Sequence, residues 1–287
     1  MKNIKLLKVL AFIVLMAVGL GFLASSATVP RADLVEAEQL NEISGIAASR
    51  IHKDILYAQN DSGGDSAVYI LNTKGKLEGT LRLSEIRNRD WEDIAVGPGP
   101  EKNRSYIYLG EIGDNAARYE SAFIYRIAEP DSIRGERFTS KVDKLEFVYA
   151  DGARDAEALL VEPRTKDIVI ISKREEQVGV YVLSYPQSTR ELNTAKKVLS
   201  LPLSWVTAAD ISPRRDAILI KTYTSVYSYK VKKKDSLVKA LTRKPKILPY
   251  IIEPQGEAIC FSSDGGSRFT LSERSGDSPL YLYQYRK

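Results

Sequence analysis

Glu92-Asp93-Ile94-Ala95-Val96 is one of five short segments that can be laid on top of one another. The others are Ser44-Gly45-Ile46-Ala47-Ala48, Glu157-Ala158-Leu159-Leu160-Val161, Ala209-Asp210-Ile211-Ser212-Pro213 and Glu257-Ala258-Ile259-Cys260-Phe261. Each opens a short apolar run that reads as a strand, and three open with glutamate. Their first residues are 48, 65, 52 and 48 apart (92−44, 157−92, 209−157, 257−209). A period of roughly 40–50 residues with several strands per unit is the sequence signature of a β-propeller.

Working outward from these segments, each unit carries further alternating runs rich in Val, Ile and Tyr, bounded by Gly, Asn, Asp, Ser and Pro. No stretch has a convincing helical period beyond two turns. The reading is an all-β, five-bladed β-propeller, with six blades as the alternative if the long second unit is split. The fifth unit runs out of chain after three strands. The segment Asp33–Leu40 precedes the first unit and belongs to none, so it is expected to supply the missing outer strand and close the ring. Closure protects edges that would otherwise template aggregation. Trp91 and Trp205 stand at strand entrances and read as wedges between blades.

The chain has 287 residues, a formal net charge of +5, one cysteine and one histidine. Both charge signs are interspersed, which is not a nucleic-acid footprint. A single Cys260 in an apolar run reads as a buried thiol, and His52 falls in a turn. Ser-His-Asp and Cys-His catalysis, and zinc sites built on histidine or cysteine, are therefore disfavoured. Lys2, Lys5 and Lys8 precede an apolar stretch from Val9 to Ala24, followed by Ser25, Ser26 and Ala27. Residues 1–27 read as a signal peptide or a membrane anchor. Lysines only on the N-terminal side place the domain, residues 28–287, outside the cytoplasm in either case.

In a propeller, the start of each inner strand and the end of the next strand share one face. Glu92, Glu157 and Glu257 then meet near the axis, where carboxylates close together repel unless protonated or neutralised by a cation. Oxygen-only ligands point to a hard ion, and a ring of them suits Ca2+, which takes 6–8 oxygens in flexible geometry. Ser44 and Ala209 fill the two remaining positions and can offer backbone carbonyls. On the same face Lys173, Arg174, Lys221 and Arg274 are candidates for holding an anionic ligand. Asp61, Asp93 and Asp114 are candidates for orienting water in any catalysis. The opposing reading is that the glutamates cap strands and the bases pair with acids of neighbouring units.

The order Ser-x-Ile, Trp91-Glu92-x-Ile94-Ala95-Val96, Glu157-Ala158-Leu159, a non-acidic fourth position and Gly256-Glu257-Ala258-Ile259 resembles the calcium-dependent apyrases. That resemblance implies a five-bladed propeller with calcium in the central tunnel, ligated at positions matching Ser44, Glu92, Glu157, Ala209 and Glu257. The chain is also similar, over almost all of its mature length, to exported bacterial propellers of unassigned role. The recurring segments include Asn60-Asp61-Ser62-Gly63, Gly113-Asp114-Asn115 and Asp155-Ala156-Glu157. Two functions are therefore expected: an extracytoplasmic calcium-binding module for an anionic small molecule or a protein, or a calcium-dependent phosphohydrolase. A monomer is expected.

Overall fold

The chain enters through β1 (Arg31–Leu34), then folds back and forth in antiparallel strands. The first sheet contains β2 (Ile43–Ala48), β3 (Ile55–Asn60), β4 (Ala67–Asn72) and β5 (Leu77–Leu83). Next come β6 (Trp91–Pro98), β7 (Ser105–Glu111), β8 (Ala122–Ala128), β9 (Gly135–Thr139) and β10 (Asp143–Tyr149). They are followed by β11 (Ala156–Val161), β12 (Ile168–Ser172), β13 (Val178–Leu183) and β14 (Asn193–Leu201). A further sheet holds β15 (Val206–Ile211), β16 (Ala217–Thr222), β17 (Val226–Lys230) and β18 (Lys246–Leu248). The last strands are β19 (Gly256–Phe261), β20 (Ser267–Ser272) and β21 (Tyr281–Arg286). This computed structural model describes residues 29–286, so the leader read at residues 1–27 lies outside them. Among the described residues no helix is long and apolar enough to cross a membrane.

The protein is all-β; the one described helix, α1 (Leu237–Leu241), is five residues long and capped by Ser236, whose side chain accepts from the Lys239 amide. The five repeat segments are β2, β6, β11, β15 and β19. Four of these are buried at every position and β6 at all but its last. Burial on both faces is why they read as unbroken apolar runs rather than alternating ones. Each packs most extensively against two others, in the cycle β2, β6, β11, β15, β19 and back to β2. Small residues permit this approach. A Cβ on Gly45 would lie 2.8 Å from the Ile94 amide nitrogen, so β2 and β6 could not sit so close with any side chain there.

The strand order gives four sheets. Two have four strands, one has five, and one has eight. The eight-stranded sheet arises because β10 and β14 pair in parallel, Phe147 opposite Asn193, which joins the outer strands of two successive units. Its end strands, β6 and β11, lie against each other.

β1 pairs antiparallel with β21, Arg31 opposite Gln284 and Leu34 opposite Tyr281. The N-terminal segment thus supplies the outer strand that the last unit lacks. The paired residues are 31–34 rather than 33–40; beyond them Val35 and Leu40 are buried in the core shared by the first and last units. The surplus length of the second unit is β9, which leaves its own unit and pairs in parallel with β5, Thr80 opposite Glu136. That strand, Gly-Glu-Arg-Phe-Thr, is exposed and charged, so no hydrophobic pattern announces it. Trp91 is fully buried among Tyr57, Ile94 and Tyr125, as a wedge should be. Trp205 is not a wedge: it is 49% exposed.

Candidate metal centre

All five innermost pairs carry an irregularity at the same place. The register slips between Ile43 and Gly45, Trp91 and Asp93, Ala156 and Ala158, Val206 and Ala208, and Gly256 and Ala258. The extra residues are Ser44, Glu92, Glu157, Thr207 and Glu257. A bulge re-aims one side chain without ending the strand and is common beside functional sites. The register therefore corrects the sequence alignment in the fourth unit. Thr207, not Ala209, stands opposite the glutamates. Ala209 lies two residues further along, where its amide donates to Asp93 Oδ2 at 3.3 Å.

Glu92, Asp155 and Glu157 bring carboxylate oxygens within 4.8 Å of one another, and so do Asp61, Asp90 and Glu92. Glu92 is common to both groups. Asp90 and Asp155 each precede a bulged glutamate by two residues, an Asp-x-Glu spacing visible in both segments. Burial raises the Glu92 carboxyl well above its usual range, and the charges of Glu157, Asp61 and Asp90 add to it. Glu157 is likewise raised by burial, against the pull of Lys173. Asp61 is pushed up to about 6, mainly by burial, with Asp90 and Glu257 contributing. Glu273 is pushed up to about 8 by burial and by Glu257 and Asp61.

Glu257 stands apart from these groups. Between it and Glu157 sits the ammonium of Lys173, hydrogen-bonded to Glu157 Oε1 and 3.9 Å from Glu257 Oε1. Tyr223 donates to the same Glu257 oxygen at 2.7 Å. Although burial opposes its charge, Lys173 is held well above the usual lysine range by Glu157 and Glu257. Lys173 is thus part of the acidic centre rather than a free base on its rim.

The other predicted bases are also committed. Arg174 bonds Asp155 Oδ2 and Asn115 Oδ1 and lies over the Trp205 ring, 5.4 Å from its centroid. Lys221 is wholly enclosed, donates to the Gly256 carbonyl, and is pushed down to about 8 by burial. Arg274 Nη1 donates to the Ser278 carbonyl at 3.4 Å. Lys173 and Arg174 are paired, but with Glu157 and Asp155 of their own unit rather than with acids of neighbouring units as the opposing reading expects, and burial removes Lys221 from any solvent ligand.

The three predicted catalytic acids differ. Asp93 is fully buried and accepts from the amides of Ile94, Leu159 and Ala209, so it ties β6 to β11 and β15 and cannot orient water. Asp210 does the same for the next pair, accepting from Ile211 and Phe261. Asp114 fixes its own loop by accepting from the Tyr119 amide at 2.8 Å. Asp61 remains at the acidic centre.

Whether the cluster fits a cation can be judged from its donors. Glu157 Oε2 is buried and has no hydrogen-bond partner. A buried carboxylate oxygen without a partner carries a desolvation penalty of roughly 1–3 kcal/mol or more. Gly113 presses on the same place, where a Cβ would meet Glu92 Oε1 and lie 2.7 Å from Asp90 Oδ2. All donors are oxygens and several are anionic; Lys173 reaches the Glu157–Glu257 side, and Arg174 bonds Asp155. The residues present fit a hard divalent ion held by Glu92, Asp155 and Glu157, with Asp61 and Asp90 adjoining. Comparison with protein-family models and with curated proteins gives no match to this chain.

Proposed function

We propose that the chain is a five-bladed β-propeller that holds a calcium ion at its acidic centre and acts outside the cytoplasm as a ligand- or protein-binding module. The cycle of inner strands, with successive strands stacked outward from each, supports the five-bladed reading. β1 on β21 then closes the ring. The single observation that carries the metal is Glu157 Oε2, a buried and unpartnered oxygen inside a group of three carboxylates. Calcium is preferred over magnesium because the donors come from strands and loops of different units, an irregular set that a 6–8-coordinate ion tolerates and an octahedral one does not. The motif resemblance to calcium-dependent apyrases agrees.

Binding is favoured over phosphohydrolysis because Lys173, Arg174 and Lys221 are already paired or enclosed. Few bases are left to neutralise a transferred phosphoryl group. The test is melting of the full chain in calcium and in chelator, together with phosphate release from a nucleotide panel. Calcium is expected to raise the melting temperature because it binds only the folded state. No calcium-dependent change counts against the site, and calcium-dependent phosphate release would restore the hydrolase reading.

A further inference from the structure

The segment from Lys230 to Lys246, which joins β17 to β18 through α1, carries eight basic residues and one acid, Asp235. Its formal charge is +7 (8 − 1). Residues 1–27 hold three lysines and no acid, so the rest of residues 28–287 sums to −5 (5 − 3 − 7). The excess positive charge of residues 28–287 is therefore gathered in one place. Seven of the eight bases are lysines, and all seven are exposed. Arg243 is tied to Asp235 at 2.7 Å, but among the described residues none of the seven lysines forms an ion pair.

The segment is held in a fixed shape. Arg164, from the turn between β11 and β12, donates to the Lys233 and Asp235 carbonyls, each at 2.8 Å, and Arg215 donates to the Asp235 carbonyl at 2.9 Å. Asp235 accepts from the Lys232 amide at 3.0 Å, and α1 is seated by Leu237, Ala240 and Leu241, all buried. Two cationic clamps thus hold a lysine-rich loop, which crowds like charges together. Lysines on a bare strand edge discourage pairing with another chain, and that accounts for Lys246 on β18, the end strand of its sheet. It does not account for Lys232, Lys233 and Lys234, which lie off the strands, between β17 and α1.

The register places this segment relative to the acidic centre. β15 meets β16 at its bulge end through Val206 and Thr222, whereas Ala217, at the other end of β16, pairs with Lys230. The lysine segment therefore leaves its sheet at the end away from the bulges. The described chain enters at that same end. In the last sheet the bulge lies opposite Ser272, Arg286 pairs with Ser267 at the far end, and Arg31 pairs with Gln284, two residues from Arg286. The apolar stretch read at Val9–Ala24 ends seven residues before Arg31 (31 − 24), a length of chain that spans at most roughly 25 Å. We infer that the face opposite the acidic centre docks on an anionic lipid surface through Lys232, Lys233, Lys234 and the lysines that follow α1. Lysines attract anionic headgroups as point charges and need no shaped pocket, but the attraction acts only within about a Debye length, so the segment must lie against the bilayer. The entry of the chain at this end, a short tether from an apolar stretch, chooses a bilayer over another anion. The acidic centre is then turned away from the bilayer, toward the side from which a ligand arrives. This goes beyond the binding-module reading and does not depend on the metal.

The full chain is mixed, in chelator, with vesicles of phosphatidylcholine alone and with vesicles of equal parts phosphatidylcholine and phosphatidylglycerol, and co-sedimentation is measured at low and high salt. Partition is expected to be stronger on the anionic vesicles, with the excess lost at high salt. The comparison between the two vesicles removes whatever the apolar leader contributes to both. A variant carrying Lys232→Gln, Lys233→Gln and Lys234→Gln removes three exposed charges; it is expected to keep the parent melting temperature and to lose roughly a hundredfold of the partition into anionic vesicles. Acetylation of Lys232, Lys233 and Lys234 by a water-soluble reagent, read by mass spectrometry, is expected to be slowed on anionic vesicles and not on neutral ones. The inference is overturned if the parent partitions equally into both vesicles, or if the triple variant partitions as the parent does. Binding to a soluble polyanion, duplex DNA, with no preference between the vesicles would also overturn it, by assigning the lysines to a polymer. Working in chelator keeps the result apart from calcium binding, so either reading can fail alone.

Discussion

Lys173 bonds one oxygen of Glu157 and leaves the other, Oε2, buried and unpartnered. Its ammonium neutralises the Glu157–Glu257 side of the centre and Arg174 bonds Asp155, whereas Asp61, Asp90 and Glu92 are left to face one another. A cation is expected on that second side. Glu157→Gln removes a charge from it and is expected to weaken calcium at least roughly tenfold, the scale that even outer partners of metal sites show. Calorimetric titration of both proteins checks this; equal affinities would remove Glu157 from the ligand set.

The converse variant is Lys173→Met. It keeps a flexible apolar stem and deletes the internal cation. If the lysine competes with the ion for Glu157, calcium affinity rises and the metal-free protein loses stability, because more buried carboxylates lie uncompensated. Affinity unchanged, with lower stability, would mean that lysine and ion act on separate carboxylates.

The acidic centre also sets a pH dependence. Asp61 and Glu273 lie at about 6 and about 8, above their ordinary values, chiefly through burial. The folded state therefore keeps protons that the unfolded chain releases, and stability falls as pH rises from about 4 to about 8. In chelator the melting temperature is expected to be higher near about pH 5 than near about pH 8, and calcium is expected to flatten the difference by stabilising the ionised cluster. A melting temperature that rises over this range in chelator would show that other groups dominate.

Much of this was legible in the sequence. Glu92, Glu157 and Glu257 were found because the apolar runs that follow them repeat. Ser44 and the glutamates sit at bulges, but a bulge leaves no mark in composition, so the Asp210-Ile211 pair points to Ala209 in the fourth unit where Thr207 is the equivalent residue. The pairing of Arg174 with Asp155, and of Lys173 with Glu157, depends on the start of one strand lying beside the end of the next. The repeat implies one shared face, but which acid meets which base is decided by side-chain reach and burial. β9 was invisible because it is short, exposed and pairs with a strand more than fifty residues earlier in the chain (135−83 = 52).

The last prediction concerns β1. Its four residues are largely exposed, so their removal deletes little buried apolar surface but leaves the β21 edge unpaired. Val35 and Leu40, just beyond, are buried, and fully burying such side chains contributes roughly 1.5–3 kcal/mol each. Two truncations separate the effects. A chain starting at residue 35 keeps both core side chains and is expected to fold with a lowered melting temperature and a tendency to self-associate through the bare edge. A chain starting at residue 41 loses the core contacts as well and is expected to be insoluble or to melt far lower. Melting temperature and light scattering on the two proteins give the answer. If both truncated chains remain monomeric and melt as the parent does, β1 contributes nothing to closing the last sheet, and the ring is held by the packing of β19 on β2 alone.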